Sequence, residues 1–369
     1  MKSAIVTYIA IVLLAIPLLS EGQFRKYSNE FLNIGAGARG LAMGSAQAAS
    51  VEDATAGYWN PAALARVEDF PSLSLMHASY FSNIANYEFG ALALPISGNK
   101  RTLGVSLLRF GVDDIPNTLF LVEPDGSINY NNISSFSSAD WAMLLSFAQK
   151  IRDEEDFKAS FGVNTKIIYR KVGQFANAWG FGLDAGFAMK KGNWSAAAVV
   201  KDVSTTFNAW SFHFNEKEKE VLYLTKNDIP IKSSEITAPR LTLASSYLFP
   251  FNESFKLLVE GDLDFTFDGK RNTLIRSNLT SVDPHIGLEA LIKDAFFIRA
   301  GLTNFQKALK DGDTTNQKRV WIYQPSLGAG FKVSNIVIDY AFSNLANQSN
   351  PLYTHIFSLK ILFGTKSEY

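Results

Sequence analysis

The sequence alternates between apolar and polar residues over long stretches, and the clearest example is residues 255–268. One face of that run carries phenylalanine and aliphatic residues, whereas the other carries three carboxylates, Glu260, Asp262 and Asp264. A period of two residues indicates a β-strand with two different faces. Strands of soluble proteins usually have about 5 or 6 residues, whereas a tilted membrane strand has roughly 9 to 11. The length of this run therefore favours a membrane strand.

Fourteen runs of this kind follow residue 70. They cover residues 72–80, 87–94, 102–109, 139–149, 157–169, 179–189, 194–201, 239–249, 255–267, 284–291, 295–303, 326–332, 335–342 and 353–363. The six connections after even-numbered runs are short: 95–101, 150–156, 190–193, 250–254, 292–294 and 333–334. Those after odd-numbered runs are mostly longer, with 81–86 as the exception: 110–138, 171–178, 202–238, 268–283, 304–325 and 343–352. Because outer-membrane barrels combine even strand numbers with short periplasmic turns and longer external loops, the pattern predicts an all-β fold. Residues 72–369 are expected to form a transmembrane antiparallel β-barrel of about 14 strands.

The polar faces of two runs carry the candidate lumen-facing charges of this barrel. Residues 157–170 contribute Lys158, Lys166 and Arg170, and residues 255–268 contribute Glu260, Asp262 and Asp264. We expect the cations to neutralise the carboxylates across a wet lumen. A pair of general acids or a cation site is the chemical alternative for the carboxylates. A soluble β-sandwich is the structural alternative, although its strands would be shorter and its outer faces polar.

The composition adds to this picture mainly by exclusion. The chain has 29 Phe, and only 19% of its residues are charged, against about 25% in typical soluble domains. The net charge of zero gives no indication of a nucleic-acid partner. There is no cysteine, and the four histidines lack the spacing of a metal or catalytic motif. We therefore predict a protein that is not an enzyme and has no cofactor or metal.

The first residues are typical of export. Lys2 precedes an apolar run over residues 4–19, and small residues precede Gln23. This pattern predicts a signal peptide over residues 1–22, and a single transmembrane anchor is the alternative. Residues 23–71 then lack alternation and are rich in Gly and Ala. Because a barrel of about 14 strands has a lumen wide enough to be plugged, we predict that this segment forms a plug.

The plug segment also contains a G-x-G-x-x-G match, from Gly35 to Gly40. A dinucleotide-binding loop requires a strand before it and a βαβ unit around it, and here strands without crossover helices follow. Arg39 is the sole charge between Glu30 and Glu52. An unpaired buried arginine would cost several kcal/mol, so we predict that Arg39 pins the plug to Glu260, Asp262 or Asp264.

Two runs of the plug, Ile34 to Gly44 and Asp53 to Leu64, resemble the amino-terminal signature of the PorV/PorQ family. The motif positions within them are Gly35, Gly37, Arg39, Met43, Gly44, Trp59, Asn60 and Pro61. Residues 77–87 resemble the next block of that family. Asn60-Pro61-Ala62 is also similar to the wider FadL-type transporters, whose amino-terminal segment forms a hatch inside a fourteen-stranded barrel.

This resemblance implies an outer-membrane protein of a Gram-negative, Bacteroidota-like bacterium that takes part in type IX protein secretion. Its partners would be outer-membrane lipid, subunits of the translocon or of the sortase-side machinery, and the C-terminal signal domain of exported cargo. A FadL-like channel for small hydrophobic molecules is the alternative function, and a purely structural scaffold is a third. If partners dock from outside, the predicted long loop 202–238 offers an aromatic contact patch. Its members are Trp210, Phe212, Phe214 and Leu222.

Overall fold

A computed structural model describes residues 28–67, 69–80, 82–123, 125–229, 233–309, 318–343 and 353–364. The predicted signal peptide lies outside these residues. No helix among them is long and apolar enough to cross a membrane. The strands are β1 (Ser72–Tyr80), β2 (Ala85–Ile96), β3 (Arg101–Asn117), β4 (Ser134–Asp153), β5 (Phe157–Val172), β6 (Ala176–Lys191), β7 (Trp194–Lys201), β8 (Thr206–Phe212), β9 (Ser233–Thr237), β10 (Arg240–Asn252), β11 (Phe255–Thr266), β12 (Ile275–Arg276), β13 (Ser281–Ile292), β14 (Phe296–Leu309), β15 (Arg319–Val333), β16 (Ile336–Ser343) and β17 (Thr354–Leu362).

These strands form one antiparallel sheet that closes on itself, because β1 pairs with both β2 and β17. Two wall positions are each made of two strands. β6 pairs with β8 in its first half and with β7 in its second, and β8 and β7 pair in turn with β9 and β10. Since β12 is a two-residue strand in a connection, the seventeen strands occupy fourteen wall positions. The predicted fold class is confirmed.

The wall places small and polar residues inward and apolar residues outward, as the alternation predicts. On β5, for example, Asn164 and Lys166 are buried, whereas Phe161 and Val163 are 37% and 44% exposed. All six connections predicted to be short are turns of two to four residues. We place these turns at the periplasmic end, because barrels have their short turns there.

Two predicted connections were wrong. Residues 171–178 do not form a loop, because β5 and β6 continue their pairing up to Val172 and Ala176. The segment 202–238 holds β8, β9 and a helix in place of one long loop. The short strands β8 and β9 each have fewer residues than a full membrane strand, and the charged helix between them hid their alternation.

Residues 28–67 fill the lumen. They form two short α-helices, α1 (Ala38–Ala42) and α2 (Ala56–Trp59), and two 3-10 turns, Glu30–Asn33 and Pro61–Arg66. A third helix, α3 (Glu216–Leu224), lies outside the lumen and is held at its start by a capping box of Asn215 and Glu218, and a further 3-10 turn, Tyr130–Asn132, lies between β3 and β4. Most apolar residues of 28–67 are fully buried and form one core with inward residues of β1–β5, β16 and β17. We call residues 28–67 the plug.

Candidate functional site

The glycines and aromatic residues of the sequence motif fold the plug on itself. Gly35 has φ of 110°, which favours glycine, and its N–H donates to the hydroxyl of Tyr58 over 2.8 Å. Trp59 Nε1 donates to the carbonyl of Ala36 over 2.8 Å. Tyr58 and Trp59 contact each other edge to face, with ring centroids 5.1 Å apart. The G-x-G-x-x-G match is therefore a buried turn inside a barrel, and no βαβ unit occurs among the described residues.

The remaining motif residues connect the plug to the wall. Gly37 N–H donates to Met76 Sδ of β1 over 3.1 Å, and Gly44 N–H to Ser326 Oγ of β15 over 3.2 Å. Met43 is fully buried and lies against Gly287 and Gly301, where any side chain would overlap it.

Asn60 and Pro61 start the turn that packs against β5 and β6. The side chain of Asn60 accepts from Ala62 N–H over 3.0 Å and donates to the carbonyl of Ala48 over 3.2 Å. Pro61 is the first residue of the turn, where proline is favoured. A side chain at Gly162 of β5 would overlap the backbone of Pro61 and Ala62. Gly162 thus permits the backbone of β5 to approach the backbone of the plug closely.

Arg39 pairs with Glu289 of β13, which corrects the predicted pairing with Glu260, Asp262 or Asp264. Its Nε and Nη2 atoms each lie 2.9 Å from one carboxylate oxygen of Glu289. Burial alone would lower the pKa of Arg39, but the charge of Glu289 and its hydrogen bonds raise the pKa above the ordinary value. Arg39 is therefore charged at every working pH.

Glu289 begins a chain of charged groups that leaves the plug and returns to it. Glu289 accepts from Arg299 of β14 over 2.5 Å, and Arg299 Nη1 donates to Asp339 of β16 over 2.7 Å. Lys360 of β17 then lies 3.3 Å from Asp339 and 3.1 Å from Asp53 of the plug. We call these six groups, Arg39, Glu289, Arg299, Asp339, Lys360 and Asp53, the ionic chain.

A glycine on the strand between Arg299 and Asp339 leaves the space that the ionic chain needs. Arg299 and Asp339 belong to β14 and β16, and β15 lies between them. Gly330 of β15 faces inward at this point, and a side chain there would overlap both Arg299 and Asp339. The glycine thus lets the guanidinium reach across one strand.

The carboxylates of β11 bind plug backbone instead of cations. Asp262 Oδ2 accepts from the N–H groups of Gln47 and Ala48, both over 3.1 Å. Glu260 Oε1 accepts from Ala49 over 2.7 Å and from Ser50 over 3.2 Å. These four consecutive N–H groups have no helix to satisfy them, so the two buried carboxylates take that role.

Asp264 is the third carboxylate of β11, and it lies above the plug. It accepts from Thr242 over 2.5 Å and lies 3.4 Å from Arg240 and 3.6 Å from His285. His285 also contacts the carbonyl of Gly44 over 3.0 Å. The structure thus separates the three carboxylates that the sequence grouped: two hold the plug and one faces a cavity.

The predicted cations of β5 have other partners than these carboxylates, which corrects that expectation. Lys166 is buried and pairs with Asp184, 2.7 Å away, and with Asp202. Arg170 pairs with Asp140 over 2.9 Å and stacks on Trp210. Lys158 is half exposed at the periplasmic rim, 3.7 Å from Asp153. A strand distant along the barrel circumference could not bring these side chains within reach of β11.

The predicted external patch is divided between the wall and a helix. Trp210 and Phe212 lie on β8, and Trp210 Nε1 donates to Glu235 of β9 over 2.9 Å. Phe214 stacks on Phe175 at the end of the barrel, with centroids 5.9 Å apart. Leu222 lies on α3 and is half-buried. These side chains mostly contact each other and the wall.

Sequence reasoning missed Glu289, Arg299, Asp339 and Lys360, although each gave a signal. Each is a single charge on a predicted strand whose other face is apolar. A lone charge in a membrane strand points to the lumen, so all four were identifiable as lumen residues. Their pairing with one another was not.

Two cavities lie on opposite sides of the plug. The upper one, of about 350 Å³, is lined by Arg240, Asp264 and His285 together with plug residues such as Leu41. The lower one, of about 830 Å³, is lined by Arg39, Asp53 and Lys360 among other charged residues. The two share no lining residue. Among the described residues, no group of three or more side chains that could hold a metal ion occurs.

The wall beside the plug is interrupted between β7 and β8. Asp202 and Thr205 have left-handed backbone, with φ of 56° and 65°. The N–H of Val203 donates to the carbonyl of Leu183 over 2.8 Å. Asp202 turns inward to Lys166, which lies in the lumen. The regular ladder along β6 is therefore broken between its pairing with β7, which ends at Ala185, and its pairing with β8, which begins at Phe181.

Comparisons with known proteins agree on the fold. No protein-family model matches the sequence, and no curated protein matches it. Among solved structures, the Ralstonia pickettii toluene transporter TbuX has a TM-score of 0.55 at 14% identity, covering 89% of this chain and 99% of that chain. The Pseudomonas putida toluene transporter TodX gives 0.53 at 12% identity, over 89% and 96%. The CymD monoaromatic hydrocarbon channel gives 0.52 at 12% identity, over 89% and 98%. This chain thus has the fold of these transporters and channels, a closed 14-stranded antiparallel β-barrel.

Proposed function

We propose that the protein is an outer-membrane channel for small hydrophobic molecules. The observation that supports this most is the interruption of the wall at residues 202–205, directly beside a plug that separates two cavities. A channel of this kind needs a route past its plug, and a kinked strand beside the plug is where such a route would begin. The structural neighbours TbuX and TodX are toluene transporters, which supports the same class of substrate.

Uptake of radiolabelled toluene by intact Gram-negative cells tests this proposal. Cells that carry the protein should accumulate toluene severalfold faster than cells with an empty vector. A locked variant provides the matched control: Ala38 N–H lies 3.1 Å from Ser358 Oγ, so Ala38→Cys with Ser358→Cys should join the plug to β17. The chain has no other cysteine. Locked cells should return to the empty-vector rate, and a reductant should restore uptake. Equal uptake with and without the protein would refute the proposal.

The secretion role implied by the PorV/PorQ resemblance stays a prediction that rests on the plug motif. Its host group, the Bacteroidota, and its translocon or sortase-side partners rest on the same resemblance. The tagged protein, isolated from outer membranes of its own host, should carry translocon subunits or signal-domain cargo if this role is correct. Deleting residues 210–224 should then abolish that co-purification if the aromatic patch is the contact.

A further inference from the structure

A groove of about 880 Å³ lies on the outward face of the wall, and its lining residues come from β16, β17 and β1 to β6. Leu75 of β1 lies opposite Gly90 of β2, and Gly90 lies opposite Leu107 of β3. Leu75 and Leu107 are 44% and 55% exposed, so both face away from the lumen. A Cβ at Gly90 would meet Leu75 at 3.5 Å and no other neighbour in the structure's described part. The missing side chain leaves a depression between two leucines.

Three ionisable residues occupy the next outward row, on the side of the longer connections. His77, Glu88 and Arg109 are cross-strand neighbours on β1, β2 and β3. His77 Nδ1 lies 2.9 Å from Glu88 Oε1, and both side chains are about half exposed. Charged residues on the lipid face of a barrel are costly at the bilayer midplane and cost little near an interface. Their presence here indicates a position at the interface.

Aromatic residues in the same row are independent evidence that this row lies at the membrane interface. Arg109 lies opposite Trp141, which lies opposite Tyr169, which lies opposite Trp179. Trp141 and Tyr169 stack with ring centroids 5.6 Å apart. Trp and Tyr concentrate where membrane meets water. Since this row lies toward the longer connections, it belongs to the outer leaflet.

Arg109 is the cation available to a ligand in this row. Glu88 is engaged by His77, and Arg109 has no carboxylate partner among the residues that the structure describes. Its guanidinium lies beside Gly111, 2.9 Å from where a Cβ would be. Gly111 is one outward position closer to the external rim. The side chain therefore extends toward the depth at which lipid head groups lie, as long cationic side chains do at an interface.

We propose that this groove binds one phosphorylated lipid of the outer leaflet. Arg109 donates to the phosphate, and an acyl chain lies over Gly90 between Leu75 and Leu107. The row of Trp141 and Tyr169 borders the head group. This inference rests on the outer-membrane location in the proposed function, and it does not rest on transport.

Native mass spectrometry of the detergent-purified full chain, titrated with bis-phosphorylated lipid A, tests this site. The unaltered protein should bind one lipid in preference to more. Arg109→Ala should weaken binding about tenfold, since it removes hydrogen bonds to a charged group. Gly90→Leu should weaken it similarly by filling the depression. Lipid A without its phosphates should bind the unaltered protein about as weakly as the intact lipid binds the arginine variant.

Two substitutions elsewhere on the wall are matched controls. Gly261 of β11 also faces outward, and a Cβ there would meet only the carbonyl of His285, at 3.9 Å, so Gly261→Leu adds the same volume outside the groove. Arg101 lies at the periplasmic end of β3, so Arg101→Ala removes a cation at the other membrane surface. Both controls should bind lipid like the unaltered protein. Equal binding by all variants, or equal loss in tests and controls, would overturn the inference. Because no transport is measured, a barrel that binds lipid but does not raise toluene uptake refutes only the proposed channel.

Discussion

The plug meets the two halves of the wall by different means. Against β3–β6 it packs by shape: Gly162 admits the backbone of Pro61, and Ser160 and Asn164 donate to plug carbonyls over 2.8 and 2.7 Å. Against β11–β17 it is held by charge, through the ionic chain and the two carboxylates of β11. No buried ion pair among the described residues joins the plug to β3–β6.

This difference indicates which half can release the plug. Steric complementarity changes only when a side chain or backbone moves, whereas a buried ion network loses much of its stabilisation when one partner is lost. The ionic half is therefore the side at which a small chemical change has a large effect. The wall interruption at residues 202–205 lies next to β6, at the edge of the half that packs by shape.

Glu289→Gln should have the largest effect, because it leaves both Arg39 and Arg299 facing a neutral group. Removing one partner of a buried pair costs about 3–5 kcal/mol. We expect that loss in urea unfolding of the detergent-solubilised barrel, together with increased entry of a small hydrophilic dye into cells. Glu154→Gln is the control, because Glu154 pairs with Arg152 at the exposed rim, where a pair contributes about 0–1 kcal/mol. Equal unfolding midpoints for the two variants would contradict a holding role for the ionic chain.

Gly162→Val tests the half that packs by shape. Overpacking of a tight contact costs about 1–3 kcal/mol, because the new side chain overlaps the backbone of Pro61 and Ala62. Gly261→Val is matched in chemistry, since Gly261 is also on a strand but a Cβ there meets only the carbonyl of His285, at 3.9 Å. Denaturant midpoints should separate the two variants. A stable Gly162→Val barrel with a protected plug would show that the fit is loose.

Asp262→Asn should have a smaller, local effect. The amide oxygen can still accept from Gln47 and Ala48, but the bonds lose their charge, which is worth about 1 kcal/mol. Amide hydrogen exchange should accelerate at Gln47 and Ala48. The amides of Ala49 and Ser50, which bind Glu260, serve as the internal control. Uniform acceleration at all four amides would mean that the plug segment opens as a unit.

Acidification should give the smallest change, through Asp53. Burial alone would raise the pKa of Asp53, but the charge of Lys360 and the hydrogen bonds from Thr55 hold it below its ordinary value of 3.8. A depressed pKa contributes stability that is fully present above the ordinary value and is lost as the pH falls through the folded-state pKa. Stability should thus be insensitive to Asp53 from pH 7 to about pH 4 and fall below that. In Asp53→Asn, the part of the fall below about pH 4 that comes from this carboxylate should disappear from unfolding curves. An unchanged pH profile would exclude this contribution.

Most of the barrel was predictable from sequence, because lipid outside and a lumen inside impose a period of two on every full-length strand. Residues 72–80 and 194–201 match β1 and β7 at both ends. Alternation did not predict β8 and β9, because strands with so few residues show too little alternation to be distinguished from a loop. It also failed for β12, which has two residues.

The candidate site was predictable in its residues and not in its pairs. The sequence identified Arg39 as a buried cation that needs a carboxylate, and Glu260 and Asp262 as inward groups. Their partners depend on which strands face a given part of the plug around the circumference. The order of strands along the sequence does not say which strand faces which part of the plug.

The sequence by itself determined the antiparallel barrel, the order of its short turns and the presence of a small-residue segment before it. These follow from local rules of strand alternation and turn length. Only the tertiary structure decided that Arg39 binds Glu289, that Asp262 holds plug backbone and that Gly330 lets Arg299 reach Asp339. Such contacts join residues from 40 to 250 positions apart, and they exist only once barrel closure has fixed the position of each strand around the plug.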